Sequence, residues 1–192
     1  MAHVSARGLA AAEEFATVGR FFEGVQARTA GGGDFCDFTF GNPHEMPLPG
    51  LVAALRKSVE PEREDWFAYK ASEAEPRAVI ADALSRELGL GFEPEDVALT
   101  QGAFGAIALA FRLVMDKGAE VVIPVPGWFC YAPMLRAADL VPVRAALDPE
   151  RFDLDLAAIE AAISPRTRMV VVNSPPRSLR GRGRTAPGRA PP

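Results

Sequence analysis

Lysine is scarce in this chain: Lys57, Lys70 and Lys117 are the only three among 192 residues. Histidine (His3, His44) and cysteine (Cys36, Cys130) number two each. Residues so few and so scattered exclude a disulfide framework and a zinc site, so no metal is expected. Long hydrophobic runs are missing as well. The longest uncharged, mainly apolar stretch, Gly102 to Phe111, ends after ten residues at Arg112, about half of what a bilayer requires. No membrane partner is expected. Near the N-terminus, Glu13 and Glu14 stand where a signal peptide would need its apolar core, so the default location is the cytoplasm.

An excess of basic charge is absent from most of the chain. Five of the 21 Lys and Arg fall in residues 176–192 (PRSLRGRGRTAPGRAPP), leaving 16 against 25 acids and a net charge of −9 for the first 175 residues. An acidic body argues against nucleic acid as a partner. With 48% hydrophobic and 24% charged residues, the composition is that of a globular chain. It excludes collagen, a coiled coil and a wholly disordered polymer.

What is present is alternation. Apolar residues at helical spacing predict helices over 9–27, from Leu51 to Val59, over 76–88 up to Gly89, and over 102–116. Short apolar runs predict strands at 35–39, 97–100, 120–125, 140–145 and 169–173. Between the later strands lie helices near 128–137 and over 153–163, the second of which Asp153 could cap. Helices and strands in this order predict an α/β fold of three layers (α/β/α) with parallel strands covered on both faces.

Three local features carry chemistry. The junction Leu99-Thr100-Gln101-Gly102-Ala103-Phe104-Gly105 opens a helix directly after a strand, which aims free N–H groups and the positive end of the helix dipole at one spot. That spot suits a phosphate, although the two glycines serve equally well for a tight turn. The segment Pro124-Val-Pro126-Gly127-Trp128-Phe129-Cys130-Tyr131 follows the end of a strand, where ligands gather in open α/β sheets. Trp128 could stack on a planar ring there, or simply pack on the core. Gly41-Asn42-Pro43 offers bare backbone to a small anion, or is a turn.

Taken in order, these segments resemble the class I/II aminotransferases, fold-type I pyridoxal-phosphate enzymes. The matching residues are Asp37 to Pro43, Tyr69, Thr100 to Ile107, Pro126 to Tyr131 and Val171 to Pro175. The resemblance implies an incomplete large domain of that fold with an N-terminal helical arm. Residues 1–50 would form the arm and a small-domain segment, 51–175 part of the cofactor-binding domain, and 176–192 a disordered tail. It implies pyridoxal 5'-phosphate as cofactor, amino acid and 2-oxo acid substrates, and a homodimer. Gly41 would meet the substrate carboxylate through its N–H. Gly102, Ala103 and Phe104 would hold the cofactor phosphate, Trp128 would stack on the pyridine ring, and Tyr69 would reach the phosphate of the neighbouring subunit. Phe104 lacks the hydroxyl or amide that the family usually has at that position, so more of the phosphate binding would fall on the backbone.

The resemblance stops after Asn173-Ser174-Pro175. The asparagine that the family places next falls on Arg177, and the later aspartate, Schiff-base lysine and carboxylate-binding arginine have no counterparts. Lys57 lies on an amphipathic helix, Lys117 near a helix end, and Lys70 in a polar stretch. None has the desolvating surroundings that activate a lysine, so no catalytic residue is assigned to this chain. The expectation is amino-group transfer as the family activity and a catalytically incomplete chain. A related lyase or decarboxylase, and a non-enzymatic binding or dimerisation module, share the same early motifs. The tail reads as an out-of-frame translation of GC-rich DNA, as a basic arm or as a linker. Loss of the remaining strands predicts exposed apolar surface and poor stability.

Overall fold

The computed structural model describes residues 4–32, 45–69 and 72–173. The apolar run at 120–125 becomes β1 (Glu120–Val125), the middle strand of a parallel sheet ordered β2-β1-β3, with β2 at Val141–Ala146 and β3 at Thr167–Val170. A strand covered on both faces needs apolar side chains at every position. Val121 and Val122 accordingly expose no surface.

The chain leaves β1 for β2 through α5 (Tyr131–Ala137), then returns past β1 to β3 through α6 (Leu156–Ala161). These connections run in opposite directions across the sheet, so right-handed crossovers put the two helices on opposite faces. Val121 and Ile123 cluster with Tyr131, Met134 and Leu135 of α5, with Leu140, and with Phe111 of α4 (Gly102–Val114). Helix α6 packs against β2. This is the helix–sheet–helix layering of an incomplete α/β domain. Among the described residues no helix is long and apolar enough to cross a membrane.

The chain divides into two compact units, Met1–Asp37 with Ile107–Pro192, and Phe38–Ala106. The first holds the sheet and α1 (Ala6–Thr29), whose N-terminus is capped by Ser5. The second holds α2 (Pro49–Ser58), α3 (Ala74–Leu88), a 3-10 turn at Pro94–Asp96 and the first turn of α4. Helix α3 ends at Gly89, whose φ of 68° is a left-handed conformation that suits glycine. Among the described residues of this second unit only Ala81 is a fully buried apolar side chain.

Four expectations are corrected. No strand forms at 97–100: without a strand alongside, the Val97 carbonyl accepts a hydrogen bond from Arg77 Nε instead (3.0 Å). The third strand sits two residues early, at Thr167–Val170 rather than 169–173. Helix α6 is shorter than 153–163, because Asp155 rather than Asp153 caps it, accepting from the Ala158 N–H at 3.0 Å. The helix expected near 128–137 starts only at Tyr131. The strand expected at 35–39 lies outside the described residues.

At the N-terminal end of the sheet, Glu120 is the one buried charged residue among those described. Its carboxylate accepts hydrogen bonds from Ser164 Oγ (2.5 Å) and Arg166, with Thr167 Oγ1 at 3.5 Å. The Ser164 hydroxyl above all, then the Arg166 guanidinium, hold this carboxyl below the usual glutamate range against the opposing effect of burial. A depressed carboxylate pKa stabilises the fold above the unfolded value of about 4.3, and the contribution is lost as pH falls through the lower folded value. The urea midpoint is therefore expected to drop as pH is taken below about 4.3. Glu120→Gln should lower the midpoint at neutral pH and flatten its acid dependence. An unchanged acid slope in the variant would assign the effect to other carboxylates, such as Asp148.

Candidate functional site

One proline decides where the sheet opens. In the β1–β3 ladder, Glu120 donates its N–H to the Arg166 carbonyl and Val171 donates to the Val122 carbonyl, each at 2.9 Å. The next donor on β1 would be residue 124, a proline with no N–H. Pairing with β3 ends at Val122–Val170, whereas pairing with β2 continues to Val125–Ala146. A cavity of about 280 Å³ lies beyond the last rung, lined by Pro124, Trp128, Tyr131, Phe152, Asp153 and Asn173 with their neighbours. It sits past the carboxyl ends of the strands, at the point where the connections reverse direction, which is where α/β sheets hold ligands.

Each wall has a local cause. Gly127 precedes Trp128, and a Cβ there would lie 2.6 Å from the Pro124 carbonyl oxygen. Only glycine fits that turn. The half-buried Trp128 ring meets the buried Tyr131 ring edge-on, with centroids 5.1 Å apart and planes at 85°. The Tyr131 N–H donates to the Trp128 carbonyl, which fixes the step from the loop into α5. Opposite, the loop after β2 folds around Asp148, whose carboxylate accepts from the N–H groups of Glu150 (2.9 Å) and Arg151 (2.7 Å). Those two bonds hold the Asp148 carboxyl below the usual aspartate range. Phe152 follows with a φ of 57°, a left-handed conformation costing roughly 1–2 kcal/mol in a non-glycine residue. Such strain persists where the surroundings over-determine it.

Among the described residues the cavity lining carries one charge, Asp153, and no cation. It suits a planar, largely uncharged ring better than an anion. Burial pushes the thiol of half-buried Cys130 above its ordinary pKa, which disfavours the thiolate needed of a nucleophile. No group of three or more His, Cys, Asp or Glu able to hold a metal occurs among the described residues.

Of the residues singled out in the sequence, Trp128 lies in this cavity. Gly102, Ala103 and Phe104 form the first turn of α4, in the second unit. There Gly102 has a φ of 75°, its N–H donates to the Thr100 carbonyl at 2.8 Å, and nothing occupies the space a Cβ would take. The first-turn N–H groups of a helix point out of its end, and residues 102–104 at the start of α4 are exposed. Tyr69, also in the second unit, is fully exposed. Gly41 lies outside the described residues. Lys57 and Lys117 are exposed, and neither lines the cavity; Lys70 lies outside the described residues. Reading the sequence missed Phe152, Asp153 and Leu154, because nothing in their types marks a loop that folds back over the strand ends.

Comparison with known proteins gives this geometry a context. The sequence profile of the family described as aminotransferase class I and II matches residues 34–176. A probable aspartate/prephenate aminotransferase of Thermus aquaticus is 34% identical over 145 residues, which is 75% of this chain and 38% of that protein. An aspartate aminotransferase of Geobacillus stearothermophilus is 36% identical over 97 residues, 50% of this chain and 25% of its own. Among solved structures, a single mutant of Thermus thermophilus aspartate aminotransferase superposes with a TM-score of 0.73 at 30% identity, covering 91% of this chain and 45% of that one. The chain thus spans less than half the length of the relatives it matches, and over that span it belongs to the class I and II aminotransferase family.

Proposed function

We propose that this chain carries the ring-holding and phosphate-holding part of a pyridoxal-phosphate aminotransferase site, and that by itself it binds the cofactor without turning over substrate. The observation that carries this reading is the cavity beyond the carboxyl ends of β1, β2 and β3, walled by Trp128. At about 280 Å³ it lies near the lower bound for small-molecule sites, and its lining, which holds no cation among the described residues, fits an aromatic ring. Bound pyridoxal 5'-phosphate supplies an electron sink for moving an amino group between an amino acid and a 2-oxo acid. Trp128 stacks on the ring, Tyr131 braces Trp128 from the edge, and Asn173 offers an amide at the rim. By resemblance to the family, the phosphate is assigned to Gly102, Ala103 and Phe104 in the first turn of α4, where the Gly102 N–H is itself given to the Thr100 carbonyl. Phe104 is exposed and brings no hydroxyl, so backbone and helix dipole do that work. Gly41 serves the substrate carboxylate, and the exposed Tyr69 phenol serves the phosphate site of a second copy in a homodimer.

No described lysine lines the cavity, so covalent attachment and proton shuttling fall outside what this chain does. Deoxypyridoxine 5'-phosphate, which has no aldehyde and cannot react with surface amines, is the discriminating probe. Isothermal titration is expected to show binding, weakened by roughly 5-fold to 100-fold in Trp128→Ala, the range that loss of an aromatic stacking platform implies. Identical binding by the chain and by Trp128→Ala would remove the cavity from the cofactor site. Steady production of 2-oxo acid by the purified chain would overturn its incompleteness.

A further inference from the structure

Helix α1 is docked on the back of the loop that presents Trp128. Glu14, with only 18% of its side chain exposed, bridges two arginines: Arg136 Nε of α5 at 3.3 Å and Arg144 Nη2 of β2 at 2.6 Å. One residue further on, Phe15 meets the ring of Phe129 with centroids 5.9 Å apart, and two helical turns later Phe22 meets the same ring at 5.8 Å. Residues seven apart share one face of a helix, so Phe129 is held between two knobs of α1. Phe129 is the direct neighbour of Trp128, and their ring centroids are 6.5 Å apart. Trp128 lines the cavity and Phe129 does not. The two consecutive aromatics therefore divide the labour, one facing the cavity and the other anchored to α1.

We propose that Phe129, gripped by Phe15 and Phe22 and secured by the Glu14 double ion pair, is a positioning residue that sets the orientation of the Trp128 ring, so that α1 controls the cavity's aromatic wall. The functional consequence rests on the reading that this cavity takes the cofactor ring; the mechanical part does not. A Trp128 loop held at only one end would keep the Tyr131 contact yet lose the constraint on ring rotation. An exposed ion pair at the α1 surface would contribute little, but a largely covered carboxylate shared by two guanidiniums is a stronger fastening.

The test uses the full chain with Trp66→Phe, which leaves Trp128 as the single tryptophan reporter. Phe129→Leu and Glu14→Gln are expected to increase acrylamide quenching of Trp128, while Phe129→Tyr, which keeps the ring, restores protection. Both loosened variants should bind deoxypyridoxine 5'-phosphate about 2-fold to 10-fold more weakly, the loss expected for one aromatic pair. Val122→Ala, buried in the sheet and remote in sequence from α1, serves as the purely destabilising reference: it should lower the melting temperature and leave quenching at 20 °C unchanged. If Phe129→Leu and Glu14→Gln behave like Val122→Ala, α1 is a structural prop only and the proposal fails. Should Phe129→Leu not fold, Phe22→Leu decides the same question from the helix side. Absence of ligand binding in every variant together with altered Trp128 quenching would retire the cofactor reading while upholding the clamp.

Discussion

Leu135→Ala is expected to abolish the cooperative unfolding of the sheet-bearing unit. Leu135 exposes none of its surface and sits in the cluster formed by Phe111, Val121, Ile123, Met134 and Leu140. Removing a fully buried leucine to alanine costs about 2–5 kcal/mol, because the lost transfer free energy is joined by that of the cavity left behind. A complete domain holds about 5–15 kcal/mol in reserve; this unit builds its core from a small sheet of three strands. The loss therefore takes most of what is available. Urea titration followed by far-UV circular dichroism should show a broad, non-cooperative decline for Leu135→Ala, and a transition close to that of the parent for Leu135→Met, which conserves volume. Leu113, on α4 and 72% exposed, provides the comparison. A Leu135→Ala midpoint no lower than that of Leu113→Ala would show that the cluster is not the source of stability.

Gly127→Ala is the second large effect, and it acts on the cavity and the fold together. The added methyl would lie 2.6 Å from the Pro124 carbonyl oxygen, a backbone atom that cannot swing aside. Relief requires moving Pro124 or Trp128, both of which line the cavity. Overpacking of this kind costs about 1–3 kcal/mol, and the displaced Trp128 should carry binding of deoxypyridoxine 5'-phosphate down with it. Gly102→Ala separates steric clash from conformational strain: its φ of 75° is unfavourable for alanine, but nothing occupies the space around it. The expectation is a measurable stability loss in both variants, with collapse of the Trp128–Tyr131 near-UV dichroism confined to Gly127→Ala. Retention of that signal would show that the turn yields elsewhere.

The parts of this fold that could be read from the sequence are those with local causes. Helix α3 stops at Gly89 because glycine accepts the left-handed conformation there, and β1 spans 120–125 as expected because every residue on it is apolar or anchored. The parts that misread depend on partners distant in sequence. Val97 to Thr100 has the residue types of a strand, yet a strand is a relation between two segments, and Arg77 took the carbonyl that a ladder would have used. The apolar run at 169–173 suggested a strand centred on Val171. Pairing instead begins at Thr167, where the Ser164–Arg166–Thr167 turn closes on Glu120. At the candidate site, Trp128 and Pro124 were legible because an aromatic after a strand and a proline near a strand's end each have a mechanical meaning. Phe152 was not, since its place depends on the side-chain turn at Asp148 and on a backbone angle that no pattern of residue types specifies.

Proline in the edge strand β2 has a consequence for self-association. Val141 and Leu147 donate their N–H groups inward, to Ala119 and Val125, so by alternation residue 142 faces outward, and it is Pro142. The outer rim of β2 therefore lacks a donor that an incoming strand would need, while the outer rim of β3 has no such interruption at Thr167–Val170. Backbone-mediated growth of the sheet is thus one-sided. Among the described residues, two copies joining β3 to β3 about a twofold axis would bury the uninterrupted rims and present the proline-interrupted ones outward. Such a union closes at two instead of propagating into a fibre.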